Sequence, residues 1–226
     1  MSDRRLERLD ERRRAIEADP AAAGAAVRAL LAAARDEAGA EGHPLDAAWY
    51  LRDLASAHPA AMARYADDVA ETVVDLPPSA ARVRRSLVAG LRAIAEASPA
   101  VVEREPVAAA LDDVLDVSEG ERPATVRDAL RAWASAGEGG IELPPEVLDR
   151  AVEALGIPDA EVQEAAVRVV EAGARGGAAD PTPIEAPLAA LDQSEGSGRR
   201  RALFALARPP AGRPAGVAGG PRRGRV

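Results

Sequence analysis

The sequence predicts an all-α protein, an α-solenoid of about five antiparallel helix pairs, and three observations predict it. Apolar residues fall at helical spacing in one segment after another, two independent apolar registers recur about every 40 residues, and the composition suits closely packed helices. Hydrophobic residues make up 47% of the 226-residue chain but aromatic ones only 2%, so the core must be assembled mainly from Ala, Val and Leu. Alanine costs no side-chain entropy in a helix and lets helix axes approach, whereas strands call for more Ile, Thr, Tyr and Phe.

Residues 1–19 read as a capping helix, with Leu6, Leu9 and Ile16 on one side and six Arg mixed with acids elsewhere. Such a helix covers the apolar face that a terminal repeat would expose. Residues 20–208 read as one repeat domain. Its clearest second helices carry apolar positions on one face at Ala47, Leu51 and Leu54; Val83, Leu87 and Leu91; Val126, Leu130 and Trp133; and Val162, Ala166, Val169 and Val170. A fainter fifth copy holds Leu203 and Leu206. The leading positions 47, 83, 126, 162 and 199 lie 36, 43, 36 and 37 residues apart.

Another amphipathic helix precedes each of these, most plainly at Met62, Tyr65, Val69, Val73 and Leu76, and again at Val107, Leu111, Val114 and Leu115. The closing leucines Leu76, Leu115, Leu155 and Leu191 are 39, 40 and 36 apart, a second register that agrees with the first. Pro20, Pro59, Pro99 and Pro183 stand where helices are predicted to begin, because the N–H that proline lacks has no intrahelical partner there. Asp159 is placed to cap the helix that follows it, and Ser118 with Glu121 and Thr182 with Glu185 form capping boxes. Leu76 to Ser79 and Gly137 to Gly140 read as turns inside one domain. Residues 209–226, rich in Pro, Gly and Arg with no periodicity, read as a disordered tail.

Two helices per unit of about 40 residues, with Val-Arg opening the second helix at Val83-Arg84 and Val126-Arg127, resemble the HEAT repeats of the armadillo-type α-solenoid family. Val162-Gln163 lacks the Arg, and Ala47-Ala48 and Arg199-Arg200 match in part. The resemblance covers about residues 20–208. It implies a structural ladder in which Asp75, Asp116 and Asp192 pair with Arg84, Arg127 and Arg200.

All 29 basic residues are Arg, against 37 acids, and Lys, Asn and Cys are absent. Missing Lys and Asn point to GC-rich coding, and the acid excess resembles the proteins of salt-loving archaea. Screening of that excess is expected to favour folding in high salt. Without Cys there is no thiol chemistry and no disulfide. The charged start and the lack of any apolar run near ~18 residues predict a cytoplasmic protein that does not enter a membrane. All the acids precede residue 196, whereas residues 196–226 carry eight Arg.

The chemistry-bearing inventory predicts no enzyme. His43 and His58 each precede Pro in loops and belong to no pair that would set two metal ligands on one helical face, so neither a metal nor a cofactor is expected. The nine Ser offer no serine–histidine arrangement that suits nucleophilic catalysis. HEAT-like DNA glycosylases use Trp, Asp and Arg on their concave surface, but Trp133 sits on an apolar frame and the acidic body would repel DNA. One of the adjacent aromatics Trp49 and Tyr50 is expected to be exposed. A solenoid offers the concave surface lined by its second helices to a protein or peptide partner. The residues predicted to face outward there are Arg85, Arg92, Asp128 and Arg131, followed by Glu164, Arg168 and Glu171. Two alternatives stand beside this reading. The Arg-rich tail could bind nucleic acid through phosphates, or the chain could be a truncated fragment of a longer repeat protein, its ending an out-of-frame product.

Overall fold

The computed structural model describes residues 11, 14–16, 18–19, 23–36, 43–116 and 122–176. Most of the expected capping helix 1–19, the expected fifth helix pair and the tail 209–226 lie outside the described residues, as do both capping boxes. Residues 11, 14–16 and 18 are helical, and Ile16 is buried.

Every regular element among the described residues is a helix. In order these are α1 (Gly24–Arg35), α2 (Pro44–Ala57), α3 (Ala66–Asp75), α4 (Ala81–Ala97), α5 (Glu105–Leu115), α6 (Pro123–Glu138), α7 (Pro145–Ala154) and α8 (Ala160–Gly176). The apolar frames of the sequence become the core: Leu51, Leu54, Leu87, Leu91, Leu111, Leu130 and Val169 are all buried. Alanine does as much as leucine. Ala47, Ala48, Ala129, Ala132, Ala166 and others are buried, and their small side chains let the axes approach.

Each pair packs within itself, α1 on α2, α3 on α4, α5 on α6 and α7 on α8. The pairs then join in two rows. The even-numbered helices meet in succession, α2 with α4, α4 with α6 and α6 with α8, and these are the broadest contacts of the molecule. The odd-numbered helices meet likewise, α1 with α3, α3 with α5 and α5 with α7.

Proline punctuates the odd helices more finely than the sequence reading allowed. Pro99 does not begin an α-helix; it begins a 3-10 segment, Pro99–Glu103, and α5 starts afresh at Glu105. Pro106 explains the break, since a helix running through from Pro99 would need an N–H at position 106 and would meet the proline ring in its preceding turn. Pro59 likewise opens a single helical turn, Pro59–Met62, followed by a 3-10 turn, Ala63–Tyr65, before α3. That 3-10 turn delivers Tyr65 to the core, its hydroxyl beside Gly24, where a Cβ would sit 3.3 Å from the oxygen.

The helix ends are secured as their residues dictate. The Asp159 carboxylate accepts from the Glu161 and Val162 amides at 3.0 and 3.1 Å, capping α8. At the end of α6, Gly140 takes φ +90 and the Ile141 amide donates to the Ala136 carbonyl at 3.0 Å, while Gly140 donates to Gly137 at 3.1 Å. This is the left-handed C-terminal closure for which glycine is suited.

Among the described residues the implied pairings of Asp75 with Arg84 and of Asp116 with Arg127 do not form, and Asp192 and Arg200 lie outside the described residues. Asp75 pairs with Arg35 at 3.2 Å and Asp116 with Arg150 at 3.2 Å. Arg84 instead binds Asp113 at 2.7 Å and donates to the Leu76 carbonyl at 3.3 Å. Gln163, which occupies the same position after Val162 as Arg84 after Val83, donates to the Leu155 carbonyl at 3.1 Å and to that of Ile157 at 3.0 Å. The position therefore closes the intra-pair loop by satisfying the carbonyl of its last leucine, eight residues earlier in both cases. Arg and Gln both supply the donor this carbonyl needs, and Arg84 adds an ion pair to Asp113. Arg127 follows a longer loop and turns to Glu161 and Asp128.

Candidate functional site

Three successive even-numbered helices bring arginines to one groove. Leu45, Trp49 and Arg52 line it from α2, at the i, i+4, i+7 spacing of one helical face. Arg82, Arg85, Ser86, Ala89 and Arg92 line it from α4 on the same kind of stripe, opposite the core frame of Val83, Leu87 and Leu91. Arg122, Arg127 and Asp128 close it at the start of α6. The groove is open to solvent and encloses about 570 Å³. Among the described residues six guanidinium groups thus face a single carboxylate, in a chain whose net charge is −8.

Those guanidinium groups differ in what they already hold. Arg52 lies against its neighbour Asp53 at 2.7 Å. Arg92 and Arg127 converge on Asp128, at 3.6 and 3.1 Å, and Arg127 also binds Glu161. Burial works to lower the pKa of Arg127, but Glu161 and Asp128 outweigh it and raise it, so this side chain is locked in its charged form. Arg82, Arg85 and Arg122 are exposed and make no ion pair or side-chain hydrogen bond among the described residues. Beside them Trp49 is 44% exposed, while its neighbour Tyr50 packs against the core.

The outward-facing residues expected from sequence divide into two groups. Arg85, Arg92 and Asp128 come together in the groove. Asp128 does not point away from the protein, however; it is only 3% exposed, because Arg92 and Arg127 cover it while neutralising it. The others lie elsewhere on the same row of helices. Arg131 and Glu171 are half-buried, Glu164 is exposed, and Arg168 is spent on Glu138 at 2.8 Å, a hydrogen-bonded pairing that raises its pKa against the lowering effect of burial. Sequence reading missed Arg52, Arg82, Arg122 and Arg127 as members of the site. The signal that could have found the first two is the polar stripe itself, Trp49 to Arg52 and Arg82 through Arg92, each at three- and four-residue spacing.

Trp133 is buried in the core, 3% exposed, and stands apart from the groove. His43 and His58 flank the two ends of α2, and among the described residues no group of His, Asp and Glu is placed to hold a metal ion. Nor is any described helix long and apolar enough to cross a membrane.

No family model matches the chain, and neither does any curated protein. Two solved structures from the Northeast Structural Genomics Consortium, both of engineered proteins, share its fold. One is 19% identical, with a TM-score of 0.57 over 80% of this chain and 79% of its own. The other is also 19% identical, with a TM-score of 0.58 over 82% of this chain and 48% of its own, so that this chain spans about half its length. At such identity the likeness concerns fold alone, and the class it defines is an all-helical protein.

Proposed function

We propose that this chain is a non-catalytic binding protein, an α-solenoid of HEAT-like helix pairs that offers the face of its second helices to a protein or peptide partner. The observation that carries this reading is the groove across α2, α4 and α6, which spans three helices and leaves exposed both an aromatic side chain and three arginines that make no ion pair among the described residues. Support for the stacked architecture comes from the order of helix contacts, even with even and odd with odd. A stack of this kind presents an extended surface to a partner.

The test compares capture from lysate by three forms of the chain. One is unaltered, one carries Arg85→Glu with Glu164→Arg on the even-numbered helices, and one carries Glu71→Arg with Asp112→Arg on the odd-numbered helices. All four positions are exposed, so folding should be preserved. A protein enriched by the first and third forms and lost with the second supports the reading. Enrichment lost only with the third, or no enrichment at all, overturns it.

A further inference from the structure

We infer that the groove binds an extended acidic peptide segment, with carboxylates on Arg82, Arg85 and Arg122 and an apolar side chain against Trp49 and Leu45. This rests on the partner-binding reading above and names the partner's chemistry. The charge argument is local. Around the groove, Asp53, Asp128, Glu96 and Glu161 engage Arg52, Arg92 and Arg127, leaving the other three guanidinium groups without a carboxylate among the described residues. A guanidinium is a planar fork that accepts a carboxylate through two parallel hydrogen bonds, and it sheds hydration more readily than an ammonium. Like charges gathered on one surface repel each other, and a bound anion relieves that repulsion.

The dimensions favour a peptide. Neighbouring helix axes lie about 8–10 Å apart, so α2 to α6 spans roughly 20 Å, the length of about six extended residues at about 3.3 Å each. Trp49 and Leu45 form an apolar end beside the cationic stretch, and such an end rewards a side chain that a carboxylate run alone would not supply. A nucleic acid fits less well. Its backbone continues beyond the groove, where the next even-numbered helix, α8, exposes Glu161 and Glu164.

Trp49 supplies the readout, since the other tryptophan is buried. The full chain is titrated with the acetylated, amidated peptide Glu-Glu-Leu-Glu-Glu-Leu-Glu-Glu, with its Gln-for-Glu counterpart, and with oligo(dT) of matched charge, following indole emission and the anisotropy of labelled ligand. The expected result is saturable binding of the acidic peptide with a change in indole emission, weakening as salt rises. The Gln-for-Glu peptide should bind at least about tenfold more weakly, and so should the acidic peptide to Arg82→Gln/Arg85→Gln/Arg122→Gln. Trp49→Phe should remove the emission change while anisotropy still reports binding. Thermal melting of both variants verifies that they fold. No binding of the acidic peptide, equal binding by the arginine variant, or tighter binding of oligo(dT) would each overturn the inference. A partner captured through the even-numbered helices that the peptide does not displace defeats the inference and leaves the broader reading standing. Peptide binding without any partner that depends on those helices does the reverse.

Discussion

Two glycines on the even-numbered helices are expected to respond to the same substitution with opposite signs. Gly137 lies near the end of α6, where an added Cβ would stand 2.7 Å from the Ala172 Cβ of α8 and 3.0 Å from Leu143. Carbon atoms rest at about 3.5–4.0 Å, so α6 and α8 must part by about 1 Å, and such a gap forfeits a quarter to a half of each contact along the seam. Alanine 172 has no rotamer with which to yield. Overpacking of this kind costs about 1–3 kcal/mol, and the helix-propensity gain of alanine is slight one residue before the helix ends. Gly137→Ala should therefore destabilise by about 1–2 kcal/mol and lower Tm by about 3–6 °C. Gly90, in the middle of α4, is different. Its Cβ would meet the Arg52 Cα at 3.5 Å and the Ala55 Cβ at 3.6 Å, ordinary contact distances, beside an apolar gap too small to hold a water. Gly90→Ala should stabilise by about 0.5–1 kcal/mol and raise Tm by about 1–4 °C. Differential scanning calorimetry of the two variants decides the matter. If Gly137→Ala melts at or above the unaltered protein, α6 and α8 are not in the close approach described.

Asp128→Asn removes the carboxylate shared by Arg92 and Arg127 while keeping its shape. It should lower stability by about 1–3 kcal/mol by thermal melting, yet strengthen acidic-peptide binding by anisotropy, because the groove gains net positive charge. Arg84→Gln should be milder than Arg84→Ala in a urea melt, since glutamine keeps a donor for the Leu76 carbonyl as Gln163 does for Leu155. Gln163→Ala, which orphans the carbonyls of Leu155 and Ile157, should cost about 1–3 kcal/mol by the same assay. Trp133→Phe should change Tm by little, because the buried indole N–H has no acceptor among the described residues, and relief of that donor offsets the volume lost.

The helical class and the core were legible because they rest on periodicity, which each segment carries within itself. Val83, Leu87 and Leu91 could be assigned inward without knowing what they would meet, and so could Trp133. Contacts between segments were less legible. Arg84 was paired with Asp75 by analogy, but its reach is set by how α4 lies on α5, and Asp113 stands closer to hand. The split of the third pair's first helix could have been read, since Pro106 forbids a continuous helix from Pro99. The groove was hidden for another reason. Trp49, Arg82 and Arg122 lie on three helices and meet only after packing, and the large acid excess averages away a local cluster of the opposite sign.

That excess is sorted by helix row, which gives the groove its character. Helices α3 and α5 hold Asp67, Asp68, Glu71, Asp75, Glu105, Asp112 and Asp113 with no base, whereas α4 holds four arginines and one acid, Glu96. Arginines then find their acids on a neighbouring pair: Arg84 reaches Asp113, Arg92 reaches Asp128, Arg127 reaches Glu161 and Arg168 reaches Glu138. Such pairs join neighbouring helix pairs, and breaking one would leave a partly buried charge alone. Among the described residues Arg82, Arg85 and Arg122 have no acid paired with them, although the chain has acids in plenty. Their repulsion is a cost the fold carries in the free state, and an anionic ligand would recover it on binding.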